Sequence, residues 1–210
     1  MAEERTNNQI IRKDAKNCFV ESLSDGFEIG KIHLCFATYD VSKPVGQRQT
    51  DNVQIYISVD EFLELHRKVI SGELRFLLQN KKKNGDKTPL YQSLGGTSAE
   101  RLAKQNHSRG DGMSLSRTIQ LLCGSKSDFL LVADSGPGEA TDKGLIVPKF
   151  GKTPENHVAI SMTFETFAEL ILTTHIHYSA WLSAYYMQKL KTKSKQNSTE
   201  TSFDDVDMPF

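Results

Sequence analysis

Residues 52 to 65, Asn-Val-Gln-Ile-Tyr-Ile-Ser-Val-Asp-Glu-Phe-Leu-Glu-Leu, and residues 157 to 170, His-Val-Ala-Ile-Ser-Met-Thr-Phe-Glu-Thr-Phe-Ala-Glu-Leu, match without a gap. Val53 falls on Val158, Ile55 on Ile160, Ile57 on Met162, Ser58 on Thr163, Phe62 on Phe167, Glu64 on Glu169 and Leu65 on Leu170. Each copy alternates apolar and polar residues as a half-buried strand does, then changes to helical spacing at a hydroxyl residue suited to an N-cap. Ser58 followed by Glu61 makes a capping box. A chain that makes one strand-to-helix switch twice is constrained to a mixed fold of two similar halves, so the pattern predicts an internal repeat.

What precedes each copy is similar in kind. Asn17 to Leu23 and Phe27 to Tyr39 have the pattern of strands around a Ser-Asp-Gly turn, followed by a polar loop from Val41 to Thr50. In the second half Arg117 to Cys123, Phe129 to Ala133 and Leu145 to Phe150 have the same pattern, separated by Gly124 to Asp128 and by the Gly/Pro-rich Asp134 to Gly144. Helices are expected over Val59 to Leu78 and Phe164 to Leu190. The organisation is thus an N-terminal arm (1–16), a first strand-helix repeat (17–78), a basic mobile connector (79–115), a second repeat (116–190), a flexible polar linker (191–203) and an acidic tip (204–210). At about 5 to 6 Å times the square root of its length, the linker lets the tip range on the order of 20 Å.

Composition excludes the extremes. Hydrophobic residues at 38% and charged residues at 25% fit an ordinary globular domain, and no apolar run reaches the length of a membrane span. Met1 to Arg5 lacks an apolar signal core, so the expectation is a cytoplasmic protein with no membrane partner. Cys18, Cys35 and Cys123 are odd in number and far apart, which argues against disulfides and zinc and for small buried residues. The formal net charge of zero hides an asymmetry: Arg67 to Arg117 is net positive by seven, whereas Ser198 to Phe210 holds four acids and no base. A basic body with an anionic end is the charge pattern of a nucleic-acid binder.

Catalysis finds little support. The glycines of Asp134 to Glu139 lack the Gly-Lys-Ser/Thr that a phosphate loop needs. His175 and His177 are two apart on an expected helix and point away from each other, wrong for one metal. Asp134 and Glu139 fall in turns, where solvated acids are the default. The expectation is a non-enzyme with no metal and no cofactor.

Binding finds more. Single strands are held by cationic grooves that track phosphate and by aromatic faces on which bases stack. On the strand to Tyr39, Ile32, Leu34 and Phe36 face inward, which leaves Lys31, His33, Cys35 and Tyr39 on the other face. With Tyr56 from the next strand and Lys43 and Arg48 at the border, this face is a candidate stacking platform. Arg117, Lys126, Lys149 and Lys152 are expected to extend it, and Lys81, Lys82, Lys83 and Arg109 supply cations from the connector. On the last helix Phe167, Ile171, Thr174, Tyr178, Trp181 and Tyr185 step by four and three, the pattern of a core or helix-helix stripe.

The tip carries a resemblance. Phe203-Asp204-Asp205-Val206-Asp207-Met208-Pro209-Phe210 resembles the acidic C-terminal tip of bacterial and phage single-stranded DNA-binding proteins. That resemblance implies docking of replication, recombination and repair proteins through Asp204, Asp205, Asp207, Met208, Pro209 and Phe210. The repeated strand-rich unit closed by a helix resembles the Whirly proteins, which implies an α+β fold of two antiparallel-strand-plus-helix repeats packed as an intramolecular pseudo-dimer. The oligonucleotide-binding (OB) barrel, usual with such a tip, is the alternative fold. The expected function is sequence-nonspecific binding and protection of single-stranded DNA with recruitment of partners, in a nucleoid-associated homo-oligomer. A recombination mediator or strand-annealing protein, or a DNA-binding regulator of a mobile element, are the alternatives.

Overall fold

The strand-to-helix junctions, doubled in the sequence, are doubled in three dimensions. The computed structural model describes residues 8–199, with side chains through residue 192. Four strands, β1 (Gln9–Ala15), β2 (Cys18–Leu23), β3 (Lys31–Tyr39) and β4 (Gln49–Ser58), form an antiparallel sheet in the order β1-β2-β3-β4. Helices α1 (Val59–Ile70) and α2 (Glu73–Asn84) follow. The second sheet contains β5 (Tyr91–Thr97), β6 (Ser114–Cys123), β7 (Phe129–Ala140), β8 (Ile146–Pro148) and β9 (Asn156–Met162), with helix α3 (Ala99–Lys104) between β5 and β6. Both β8 and β9 pair antiparallel with β7, β8 through Gly138–Ala140 and β9 through Phe129–Ser135. Helix α4 (Phe164–Thr199) closes the described chain. The architecture is α+β with two antiparallel sheets.

Equivalent residues of the two copies do the same work. Val53, Ile55 and Ile57 on β4, like Val158, Ile160 and Met162 on β9, are buried in one common core. Phe62 and Leu65 on α1 and Phe167 and Leu170 on α4 are buried beside them. Ser58 accepts from the Glu61 amide while Glu61 accepts from the Ser58 amide, closing the capping box. Thr163 Oγ1 accepts from the Thr166 amide at 3.2 Å and caps α4 in the same manner. The shared apolar alternation and hydroxyl therefore encode a shared junction.

Several boundaries differ from the sequence reading, each for a physical reason. The expected arm contributes β1, which pairs with β2 across a tight turn where Asn17 takes a positive φ of 62°. The helix expected to be continuous to Leu78 breaks at Ser71-Gly72, because Gly72 adopts the left-handed conformation at φ 76° and starts α2. The connector read as mobile holds the end of α2, the strand β5 and α3, the last capped by Ser98. The Gly/Pro-rich run from Asp134 is strand through Ala140, and its glycines serve close approach: a Cβ at Gly136 would lie 2.8 Å from the Phe150 ring. Residues 191–199 of the expected flexible linker continue α4, while 200–203 and the tip lie outside the described residues. None of the described helices is long and apolar enough to cross a membrane.

The first part of the α4 stripe, Phe167, Ile171 and Thr174, is buried. Farther on, Tyr178 and Trp181 pack on Phe27 with ring centroids 5.2 and 5.6 Å away, and Tyr185 stacks on Trp181 at 5.0 Å. Helices α1 and α4 meet where His66 lies flat on His175, centroids 3.8 Å apart and rings inclined by 16°. Burial first, and the neighbouring His175 second, hold the His66 imidazole below its ordinary value. A depressed histidine is neutral when folded and takes up its proton more readily when unfolded, so this contact contributes stability above a pH of about 6.5 and loses it as pH falls. The urea midpoint is expected to drop between pH 7.5 and 5.5, and His66→Phe to flatten that drop; an equal drop in the variant would remove the pair from the account.

Candidate nucleic-acid interface

The side chains of β3 and β4 that turn away from the core meet across the ladder. His33 faces Tyr56 and Cys35 faces Gln54 in the antiparallel register. His33, expected as an open platform residue, is buried, only 4% exposed. Its Nδ1 lies 2.7 Å from Asp25 Oδ1 and its Nε2 2.6 Å from Gln54 Oε1, so both ring nitrogens are engaged. Tyr56 stacks on the pinned imidazole at 4.2 Å and 17°, with 43% of the residue still exposed. His33 thus acts as a fixed floor, and the ring available to a base is that of Tyr56. Burial, and then the charge of Asp25, push the Tyr56 hydroxyl above its ordinary pKa.

At the other end of the same face Phe19 and Tyr39 lie with centroids 6.4 Å apart, and the Arg12 guanidinium covers Phe19 at 3.6 Å. Arg12 is also paired with Asp14 at 2.8 Å, which raises its already high pKa. Lys43 and Arg48 project from the exposed loop between β3 and β4, where Arg48 Nε donates to the Lys43 carbonyl at 3.1 Å. The Arg48 carbonyl accepts from the Asp40 amide at 2.7 Å, which brings Arg48 back beside the end of β3 at Tyr39.

Beyond Tyr56 the face opens into a cleft of about 520 Å³ between β3–β4 and β5–β6, lined by Lys31, Tyr56, Arg101 and Arg117 among others. Arg117 reaches it from the core side of the second sheet, opposite Gly95 on β5 and Ser135 on β7. Of the expected residues, Lys31, Tyr56 and Arg117 line the cleft and His33 lies behind Tyr56, but Arg117 enters from the core side of its sheet instead of extending the outer face. Arg12, Phe19, Arg101 and Gly95 belong to the same surface and were not anticipated. Phe19 lies on an expected strand, Arg12 in the N-terminal arm, and Arg101 and Gly95 in the connector read as mobile, although Ser98 with Glu100 two residues on marks a helix start.

The remaining cations do not extend this platform. Lys81, Lys82 and Lys83 end α2, where Lys82 Nζ donates to the Ser127 carbonyl at 3.0 Å beside Lys126 in the β6–β7 turn. From Arg117 to Cys123 the strand alone advances about 20 Å at 3.3 to 3.4 Å per residue, so that cluster stands apart from the cleft. Lys149 pairs with Glu139 at 2.6 Å, and Arg109 pairs with Asp111 and Glu155 at 2.7 and 2.6 Å. Lys81 pairs with Asp86, which holds that carboxyl down at about 2. Lys152 is exposed in the loop before β9. The corresponding outer face of the second sheet carries Asp134, bonded to His157 at 2.6 Å, in place of a cation.

Cys18 and Cys35 are buried and Cys123 is half-buried, all as free thiols. Among the described residues no group of three His, Cys, Asp or Glu side chains is placed to hold a metal ion. No family model, no curated protein and no solved structure matches the chain.

Proposed function

We propose that this protein binds single-stranded DNA without strong sequence preference, protects it, and recruits replication, recombination or repair proteins through its acidic tip, without catalysing a reaction. The observation that carries the reading is the run along one sheet face from Lys43, Arg48 and Tyr39 to Tyr56 on its His33 floor and into the cleft of Lys31, Arg101 and Arg117. Aromatic rings between cations suit stacked bases and tracked phosphates. The charge asymmetry and the tip resemblance point the same way. A Whirly-like duplicated core is supported by the four-strand meander before α1, the antiparallel run β5-β6-β7-β9 before α4, and the matched junctions. The OB barrel is the second reading of the fold, with which the two antiparallel sheets are compatible and which the tip favours.

Homo-oligomer formation draws support from α4. Ile176, Ala180, Ser183, Met187 and Leu190 follow one another by four and three along an exposed face, with Ile176 66%, Met187 60% and Leu190 68% exposed. Such spacing makes a seam for a second helix. A cytoplasmic, nucleoid-associated location completes the proposal.

Labelled oligo-dT is the test. If the five cations Lys31, Lys43, Arg48, Arg101 and Arg117 each neutralise one phosphate, log affinity falls with log salt at a slope of about −3.5. Tyr56→Ala is expected to weaken binding by about 1 to 3 kcal/mol through the lost stack. Absence of retention at low salt would sink the proposal, tighter binding of matched duplex would transfer it to a duplex-reading regulator, and acceleration of complementary-strand pairing to an annealing protein.

A further inference from the structure

Arg117 has most of its hydrogen-bonding capacity unspent. One Nη donates to Thr97 Oγ1 at 2.9 Å, and among the described residues no carboxylate is paired with it. Burial holds its guanidinium below the ordinary value, the mark of a cation that lacks an anion. A planar fork of five donors is the side chain best shaped for a phosphate group.

The surroundings complete a site. Lys31 and Arg101 line the same cleft. Its two acids are engaged: Asp25 with His33 at 2.7 Å, and Glu61 with the Ser58 cap and the Ser93 hydroxyl at 3.1 Å. Across the ladder from Arg117 stands Gly95, where a Cβ would meet nothing within 4 Å, so the space beside the fork is open. The volume of about 520 Å³ lies within the usual range of small-molecule sites, about 300 to 1,000 Å³. Tyr56 stands in the lining with its ring partly exposed.

We propose that this cleft binds a nucleotide through its phosphomonoester, with Arg117 on the phosphate, Lys31 and Arg101 balancing its charge, and the base against Tyr56. A monoester carries nearly two negative charges at neutral pH, whereas a phosphodiester inside a strand carries one. A monoester also presents three acceptor oxygens to the donors of Arg117, Lys31 and Arg101, which favours the former. The group has two sources, the phosphorylated end of a strand and a free mononucleotide, and the site stands independently of the strand-binding reading.

The full-length chain is titrated with oligo-dT of one length bearing a 5′-phosphate, a 3′-phosphate or hydroxyl ends, and separately with dTMP and with thymidine. A terminal phosphate is expected to tighten binding about ten- to a hundredfold, the effect of charge-assisted hydrogen bonds gained at one group. In Arg117→Met the ratio of phosphorylated to hydroxyl-ended affinity falls to near one, and in Arg101→Met, on the exposed α3, it falls partway. Preference for dTMP over thymidine without any end preference assigns the site to the free mononucleotide. Equal binding of every phosphorylated and unphosphorylated pair overturns the proposal, as does a preference retained in Arg117→Met. Loss of all oligonucleotide binding with dTMP still bound would end the strand reading and leave the cleft assignment standing.

Discussion

Phe167→Ala is expected to destabilise the protein by about 3 to 5 kcal/mol, read as a fall in the urea midpoint with an unchanged slope. Phe167 is 2% exposed and meets Phe129 nearly edge-on at 5.2 Å, so truncation removes a large apolar surface and leaves a cavity that the surrounding strands cannot fill. Phe62→Ala is expected to cost a similar amount, because Phe62 is fully buried at the equivalent point of the other junction and in the same cluster. Phe76→Ala, on a residue 60% exposed, is expected to stay within about 0.5 kcal/mol. If the two buried phenylalanines differed as much from each other as from Phe76, the equivalence of the two junctions would fail with them.

What was legible in the sequence was whatever depended on local period. Val53, Ile55 and Ile57 alternate, Ser58 caps and Phe62 and Leu65 repeat helically, so strand, junction and inner face could be assigned without a partner. The same rule placed His33 and Tyr56 on one face. It did not reveal that His33 is buried, since that follows from Asp25 and Gln54, eight residues before and twenty-one after it, closing on both ring nitrogens. The placement of Arg117 was not legible: expected to extend the outer face, it shares the core side of β6 with Ile119 and Leu121, and its arrival in a cleft beside Lys31 depends on how the second sheet meets the first. Arg101 and Gly95 lay in a segment whose polarity resembles a loop, and β5 forms there because β6 supplies a ladder partner at every residue from Tyr91 to Thr97. Gly136 and Gly138 misled for the converse reason: a residue used for turns is also the residue that lets another group come close.

Removing Met208 to Phe210 is expected to abolish partner binding. Pro209 and Phe210 are the apolar part of a peptide whose three Asp residues suit a Lys- or Arg-rimmed pocket, so their loss leaves charge without an anchor. The measurement is retention of replication and recombination proteins from bacterial lysate by the immobilised full-length and truncated chains, with a synthetic 203–210 peptide as competitor. Equal retention by both chains, or indifference to the peptide, would show the tip misread. The long helix also decides what truncation does to DNA binding. From Trp181, packed on Phe27 beside the cleft residues Asp25 and Ile29, α4 runs to Thr199, about 27 Å at 1.5 Å per residue. Residues 200–210 can extend at most about 40 Å from that end, farther than the helix carries them from Trp181. The anionic tip can therefore reach the cationic cleft, so oligo-dT affinity is expected to be unchanged or raised without it. A fall in oligo-dT affinity on truncation would mean that the tip contributes to strand binding instead of competing with it.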